Sequence, residues 1–112
     1  MPQPEAVIQR VLLARINALP GVHLDRVNVT VSKAGGRFIR SAPDGFPDSI
    51  GAARGRALAV EYKSATGIQS PAQRAWQAKW EAAGGLYILA RDIDQALSDL
   101  QARLPPAREV FP

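Results

Sequence analysis

Residues 45–73 read GFPDSIGAARGRALAVEYKSATGIQSPAQ, and the pattern inside this stretch decides the fold. From Arg56 to Ser64, Leu58, Val60 and Tyr62 fall on one side of an extended chain. Ala57, Ala59, Glu61 and Lys63 fall on the other, which is the period of two of a strand. Ala53-Arg54-Gly55 supplies a turn that folds a short strand around Asp48–Gly51 back onto it, antiparallel. With the turn centred on residues 52–55, Asp48 lies opposite or diagonal to residues 59–61. Thr66-Gly67-Ile68-Gln69 links this hairpin to a helix from Pro71 to Ala83. Its start is marked three times: Ser70 as N-cap, Pro71 at the first helical position, and Gln73 three residues after the cap. Gly84-Gly85 ends that helix, and Leu86–Ala90 is a short apolar run of the kind that forms a buried strand. Strand, helix, strand implies a right-handed crossover, with residues 86–90 parallel to a neighbour.

Upstream, residues 4–18 predict an amphipathic helix with Ile8, Leu12, Ile16 and Leu19 on one face, Pro4 in its first turn, and a stop at Leu19-Pro20-Gly21. Val27, Val29 and Val31 alternate with Asn28, Thr30 and Ser32 and predict a half-buried strand. Lys33-Ala34-Gly35-Gly36 turns the chain back along Arg37–Ser41, and Ala42–Pro47 is a loop rich in turn residues. Downstream, Asp92 or Asp94 caps a last helix through about Arg103, with Ile93, Ala96, Leu97 and Leu100 inward. The expected class is α/β, a central mixed sheet flanked by helices. One domain is expected over residues 1–104, followed by a Pro-rich tail over 105–112.

Composition narrows the chemistry. The 112 residues include no cysteine and one histidine, His23. Thiolate metal sites, disulfides, cysteine nucleophiles and paired-imidazole sites are therefore excluded. No apolar run approaches a membrane span and no signal-peptide pattern opens the chain, so a cytoplasmic protein with no membrane partner is expected. The formal net charge is +4. Between Arg26 and Lys79, nine basic residues face three acids, a net +6, while the remainder is net −2. A central basic block suits a polyanion, since lysine and arginine replace the counterions of a phosphate backbone. It equally suits an ordinary solvated basic surface.

Asp48 and Glu61 converge across the hairpin, with Lys63 on the Glu61 face. Two carboxylates beside an ammonium form a good divalent-cation site, because magnesium takes hard oxygen ligands and often only one or two carboxylates. Lys63 would then orient an attacking water or stabilise charge on a transferring phosphoryl group. A bare Glu-x-Lys is most often a surface ion pair. Here it stands with Gly45-Phe46-Pro47-Asp48 before it, Ser70-Pro71-Ala72-Gln73 after it, and Glu5 on the first helix.

That ordered set resembles the PD-(D/E)xK nuclease superfamily, and within it the small stand-alone VRR-NUC domains of phages and bacteria, from Glu5 to about Leu100. The resemblance implies a restriction-endonuclease-like αβββαβ core and Mg²⁺- or Mn²⁺-dependent hydrolysis of phosphodiester bonds. It implies Asp48 and Glu61 as metal ligands, aided by the Tyr62 carbonyl, and Lys63 as the catalytic lysine. Gln73 and Glu5 become outer members that hold water or Lys63. It further implies a bacterial or phage-infected host cell and a branched DNA substrate such as a four-way junction. A homodimer is expected, because two symmetric cuts need two sites related by a two-fold axis.

Bland alternatives stand beside several of these roles. Gln73 is what a capping box needs, Glu5 favours a helix N-terminus, and Trp76 and Trp80 at helical spacing suit a core. Asp44 reads as a turn residue and His23 as an exposed loop residue. Arg54 and Arg56, placed at a hairpin tip beside Asp48, are the first candidates for phosphate contacts, followed by Lys33, Arg37 and Arg40. Two other functions fit the same residues: a non-catalytic nucleic-acid-binding subunit, and an exonuclease of the same fold.

Overall fold

The strand that carries Glu61 lies inside the sheet, between an antiparallel and a parallel neighbour. In the computed structural model, which describes residues 2–107, the chain forms α1 (Glu5–Asn17), β1 (Val22–Arg26), β2 (Val31–Ala34), β3 (Arg37–Arg40), β4 (Ser49–Ala53), β5 (Arg56–Tyr62), α2 (Pro71–Ala82), β6 (Leu86–Ala90) and α3 (Ile93–Arg103). One four-stranded sheet has the order β1-β4-β5-β6, and β2 and β3 pair separately. β1, β4 and β5 run antiparallel in turn, and β6 runs parallel to β5. The architecture is a mixed α/β layering.

Alternation divides the sheet into two faces. Val22 and Leu24 of β1, Leu58, Val60 and Tyr62 of β5, and Leu86, Ile88 and Ala90 of β6 are buried in one core. Ile8, Leu12 and Ile16 of α1 and Ile93, Ala96 and Leu100 of α3 close that core from one side. Each valine, leucine or isoleucine side chain buried in this way contributes about 1.5–3 kcal/mol. A buried Ser49 Oγ lies 2.9 Å from the Tyr62 hydroxyl, so the polar atoms within the apolar layer satisfy each other. α2 crosses the opposite face near β6. Its Trp76 stacks on Trp80 with ring centroids 4.7 Å apart and meets Phe46 edge-on at 5.4 Å. Both tryptophans are half-buried, and Trp80 Nε1 donates to the Leu86 carbonyl at 2.8 Å.

The first sheet strand differs from expectation. Val22–Arg26 pairs with β4, whereas the alternating valines farther along do not enter the sheet. β2 starts only at Val31, and Val29 and Val31 are 44% and 56% exposed. Val22 and Leu24 reach the core first, and residues 28–31 have no layer left to cover them. His23 accordingly lies within β1 opposite Ala52, exposed, its Nε2 3.0 Å from Asp25 Oδ2.

The remaining ends follow their local chemistry. Pro4 is the N-cap of α1 and lies just before its first turn. Asp92 is the residue that caps α3, accepting from Gln95 N at 2.9 Å. Of the Pro-rich tail, residues 105–107 are described, and the Pro105 carbonyl accepts from Arg54 Nη1 at 3.0 Å. Residues 108–112 lie outside the described part. No helix among the described residues is long and apolar enough to cross a membrane.

Candidate active site

The β4–β5 turn is the two residues Arg54-Gly55, and this fixes the register. Ser49 pairs with Val60, so Asp48 stands opposite Glu61. Asp48 Oδ2 accepts the Tyr62 N–H at 2.9 Å, which holds the carboxylate against the edge of β5. The N–H and C=O of one strand residue point to the same side, so the Tyr62 carbonyl also faces Asp48.

Glu61 is 2% exposed and sits on the α2 side of the sheet. Gln73 Nε2 donates to its Oε1 at 3.1 Å, and the Tyr87 hydroxyl donates to its Oε2 at 3.4 Å. Its carboxyl pKa is pushed up to about 8, first by burial, then by the hydrogen bond and charge of Asp48, against the opposing pull of Lys63 and Tyr87. Burial also raises the Tyr87 phenol, which therefore stays protonated as a donor. Gln69 Nε2 in turn donates to the Tyr87 hydroxyl at 3.1 Å and to Gln77 Oε1 at 2.9 Å.

Gln73 serves two structures at once. Its Oε1 accepts the Ser70 N–H at 2.8 Å, and its own N–H donates to Ser70 Oγ at 3.1 Å, a complete capping box. The other end of the same amide reaches Glu61. A capping residue is thereby locked in the geometry that holds a site carboxylate.

Gly45 joins the remaining motif to this helix. It has φ +79°, and a Cβ placed there would lie 2.2 Å from the Ala72 carbonyl oxygen and 2.8 Å from Gln73 N. Only glycine lets the 42–47 loop press main chain against main chain at the start of α2. Phe46 then packs on Trp76, and Asp48 emerges beside Glu61.

Lys63 follows β5 on the Glu61 face and is half-buried, its N–H bonded to the Ala90 carbonyl at 2.9 Å. Arg91 holds the loop beyond it through the Ser64 carbonyl at 2.9 Å and the Gly67 carbonyl.

Other candidates lie elsewhere. Glu5 is exposed in the first turn of α1, and no hydrogen bond or ion pair among the described residues ties it to Asp48, Glu61 or Lys63. Arg54 in the β4–β5 turn and Arg56 just after it lie at the far end from Asp48, about 20 Å along the strand. This corrects their expected place beside Asp48. Arg54 binds the Pro20 and Pro105 carbonyls, and Arg56 binds the Gly84 carbonyl at 2.7 Å. Their guanidiniums cross-link main chain. Lys33, Arg37 and Arg40 lie on the β2–β3 hairpin, where Arg40 pairs with Asp44. A depression of about 360 Å³ lined by Ala6, Gln9, Arg10, Leu13 and Arg26 lies on the α1 side of the sheet, away from this chemistry.

Tyr87 and Gln69 were not legible as site residues. Tyr87 sits in an apolar run that reads as core, and Gln69 in a linker. Only the parallel register, Ala59 with Tyr87 and Glu61 with Leu89, puts that phenol on the Glu61 face.

Among the described residues no three His, Cys, Asp or Glu side chains gather at one point. The Asp48 and Glu61 carboxyls lie side by side, and strand geometry turns the Tyr62 carbonyl toward the Asp48 side. These hard ligands fit a magnesium or manganese ion that keeps several waters. Comparison with family models, with curated proteins and with solved structures finds no match to this chain.

Proposed function

We propose that the protein is a metal-dependent DNA endonuclease of the PD-(D/E)xK type, built on a restriction-endonuclease-like core and related to stand-alone VRR-NUC domains. The observation that carries this reading is Asp48 held by the Tyr62 N–H beside Glu61, with Gln73 bonded to Glu61 and Lys63 two residues on along the same strand face. With the β2–β3 hairpin set aside, the order α1, β1, β4, β5, α2, β6 also supports the αβββαβ assignment.

Asp48, Glu61 and the Tyr62 carbonyl would hold Mg²⁺ or Mn²⁺, which supplies Lewis-acid stabilisation of the phosphorus oxygens and a lowered pKa for water. Lys63 places an ammonium beside that centre, where it orients the attacking water and offsets charge developing on the phosphate. Gln73 and Tyr87 fix the Glu61 carboxyl, so little reorganisation accompanies the reaction. The cations of the β2–β3 hairpin suit phosphates rather than base edges, so selectivity rests on DNA shape and backbone, which favours a branched substrate. Two symmetric cuts require two copies of the site, hence a homodimer.

The test is incubation with Mg²⁺ and linear, nicked, flapped and four-way DNA, with light scattering for the oligomeric state. Internal cuts near the branch that stop with EDTA are expected. Progressive loss of terminal nucleotides instead would assign an exonuclease, and binding to DNA without any cut would assign a non-catalytic subunit.

A further inference from the structure

The β2–β3 hairpin is the part of the molecule that the proposed chemistry leaves unused. Residues 28–41 are all exposed, and they include Val31, Phe38 and Ile39 at 56%, 77% and 51% exposure. A lone two-stranded ribbon is marginally stable in water, so such a display of apolar side chains calls for a partner. Residues 27–41 contain Lys33, Arg37 and Arg40 and no acid. Arg40 pairs with Asp44 just outside the hairpin, an exposed pair that a phosphate can replace.

The register arranges these groups. Val31 faces Arg40 and Lys33 faces Phe38, so one side of the ribbon presents two cations alternating with two apolar groups. The other side carries Ile39 and Arg37 beside the small Ser32 and Ala34. The tip, Gly35-Gly36, is thin. The ribbon is also rooted in the site: Val27 N–H donates to the Asp48 carbonyl at 2.7 Å, and the far strand returns through the 42–47 loop to Asp48 itself.

We infer that this hairpin is a DNA-engaging arm whose cations grip phosphates and whose Phe38 stacks on a base exposed where the duplex is interrupted. This rests on the nuclease reading and deepens it by naming the substrate feature recognised. Charge decides between the occupants. A second copy seated hairpin to hairpin would bring three cations against three with no acid in residues 27–41 to offset them, whereas a phosphate backbone complements all three. Stacking decides the substrate. Inserting a ring into continuous duplex costs a few kcal/mol of unstacking, and that cost falls at a branch point or single-strand junction.

The experiment measures binding of the full chain by fluorescence anisotropy in EDTA, on four-way, flapped and linear DNA with 2-aminopurine at the branch. Phe38→Ala is expected to weaken branched binding about tenfold, the scale of one lost base–aromatic stack. It should spare linear duplex and abolish the 2-aminopurine response, while Phe38→Trp retains all three. The double variant Lys33→Gln/Arg37→Gln should weaken every substrate and reduce the log–log salt slope by about two. Wild-type affinity and response for Phe38→Ala overturns the inference. So does a Phe38→Ala chain that loses only self-association by light scattering, which would make the hairpin a contact between copies. Because the readout needs no metal, branch binding that depends on Phe38 supports the arm even in a chain that never cleaves. Cleavage indifferent to Phe38 and to branching overturns the arm and leaves the nuclease.

Discussion

Gln73 donates through Nε2 to Glu61 Oε1 at 3.1 Å while its Oε1 closes the capping box of α2. The start of a helix and the orientation of a buried carboxylate therefore depend on one amide, and substitution can separate the two roles. Ser70→Ala removes the cap alone and should cost about 1 kcal/mol with cleavage close to wild type. Gln73→Ala should cost about as much stability, since it too loses a cap, but lower turnover about tenfold because Glu61 is released. Thermal melts and single-turnover cleavage on the two variants check this.

Gly45 is the second lever on the site. Gly45→Ala combines a positive φ with a Cβ 2.2 Å from the Ala72 oxygen, so the loop must leave α2. A loss of about 2–4 kcal/mol is expected, together with cleavage, as strain and overpacking add. Gly36→Ala is the control. It has the same φ of +79° but nothing within 4 Å, so its cost should be about 1 kcal/mol with the site intact. Urea unfolding of both variants separates contact from backbone strain.

The strand pair and α2 were legible because several local signals agreed there. Alternation in residues 56–63, a turn before it and a three-part helix start all specify one register. β1 was not, since Val22 and Leu24 give a single alternation directly after Pro20-Gly21, weaker than the Val27–Val31 pattern that follows. The sequence shows which residues are β-formers but not which of two candidates reaches the core first. Arg54 and Arg56 illustrate a related limit. Their charge suggested phosphates, and only the fold shows the Pro20, Gly84 and Pro105 carbonyls that hold them.

Glu61 predicts an opposing response to pH and metal. Its carboxyl rises from 4.5 to about 8 on folding, mainly through burial and then through Asp48. The folded state therefore holds that proton more tightly than the unfolded chain. Its contribution to stability is full below 4.5 and is lost as pH rises to about 8. Metal-free protein should lose denaturation midpoint over that window, and Glu61→Gln should flatten the loss. Mg²⁺ needs the ionised pair, so its stabilising effect should grow with pH across the same range. Urea midpoints at several pH values, with and without Mg²⁺, check both signs.

Metal removal should act on chemistry before binding. With EDTA in excess, cleavage should stop while DNA binding persists, because the cations that meet phosphate lie outside the Asp48–Glu61 pair. A gel-shift beside a cleavage assay reads the two separately.

Lys63→Ala distinguishes one hydrolytic centre of Asp48, Glu61 and Lys63 from an ordinary surface ion pair. Single-turnover cleavage of a four-way junction in Mg²⁺, with junction affinity measured in parallel, should show turnover reduced about 10²–10³-fold, the scale of one lost transition-state stabiliser. Affinity should stay near wild type, since Lys63 is one of 14 basic residues. A Lys63→Ala protein that cleaves at the wild-type rate would mean that Asp48, Glu61 and Lys63 are not the hydrolytic centre.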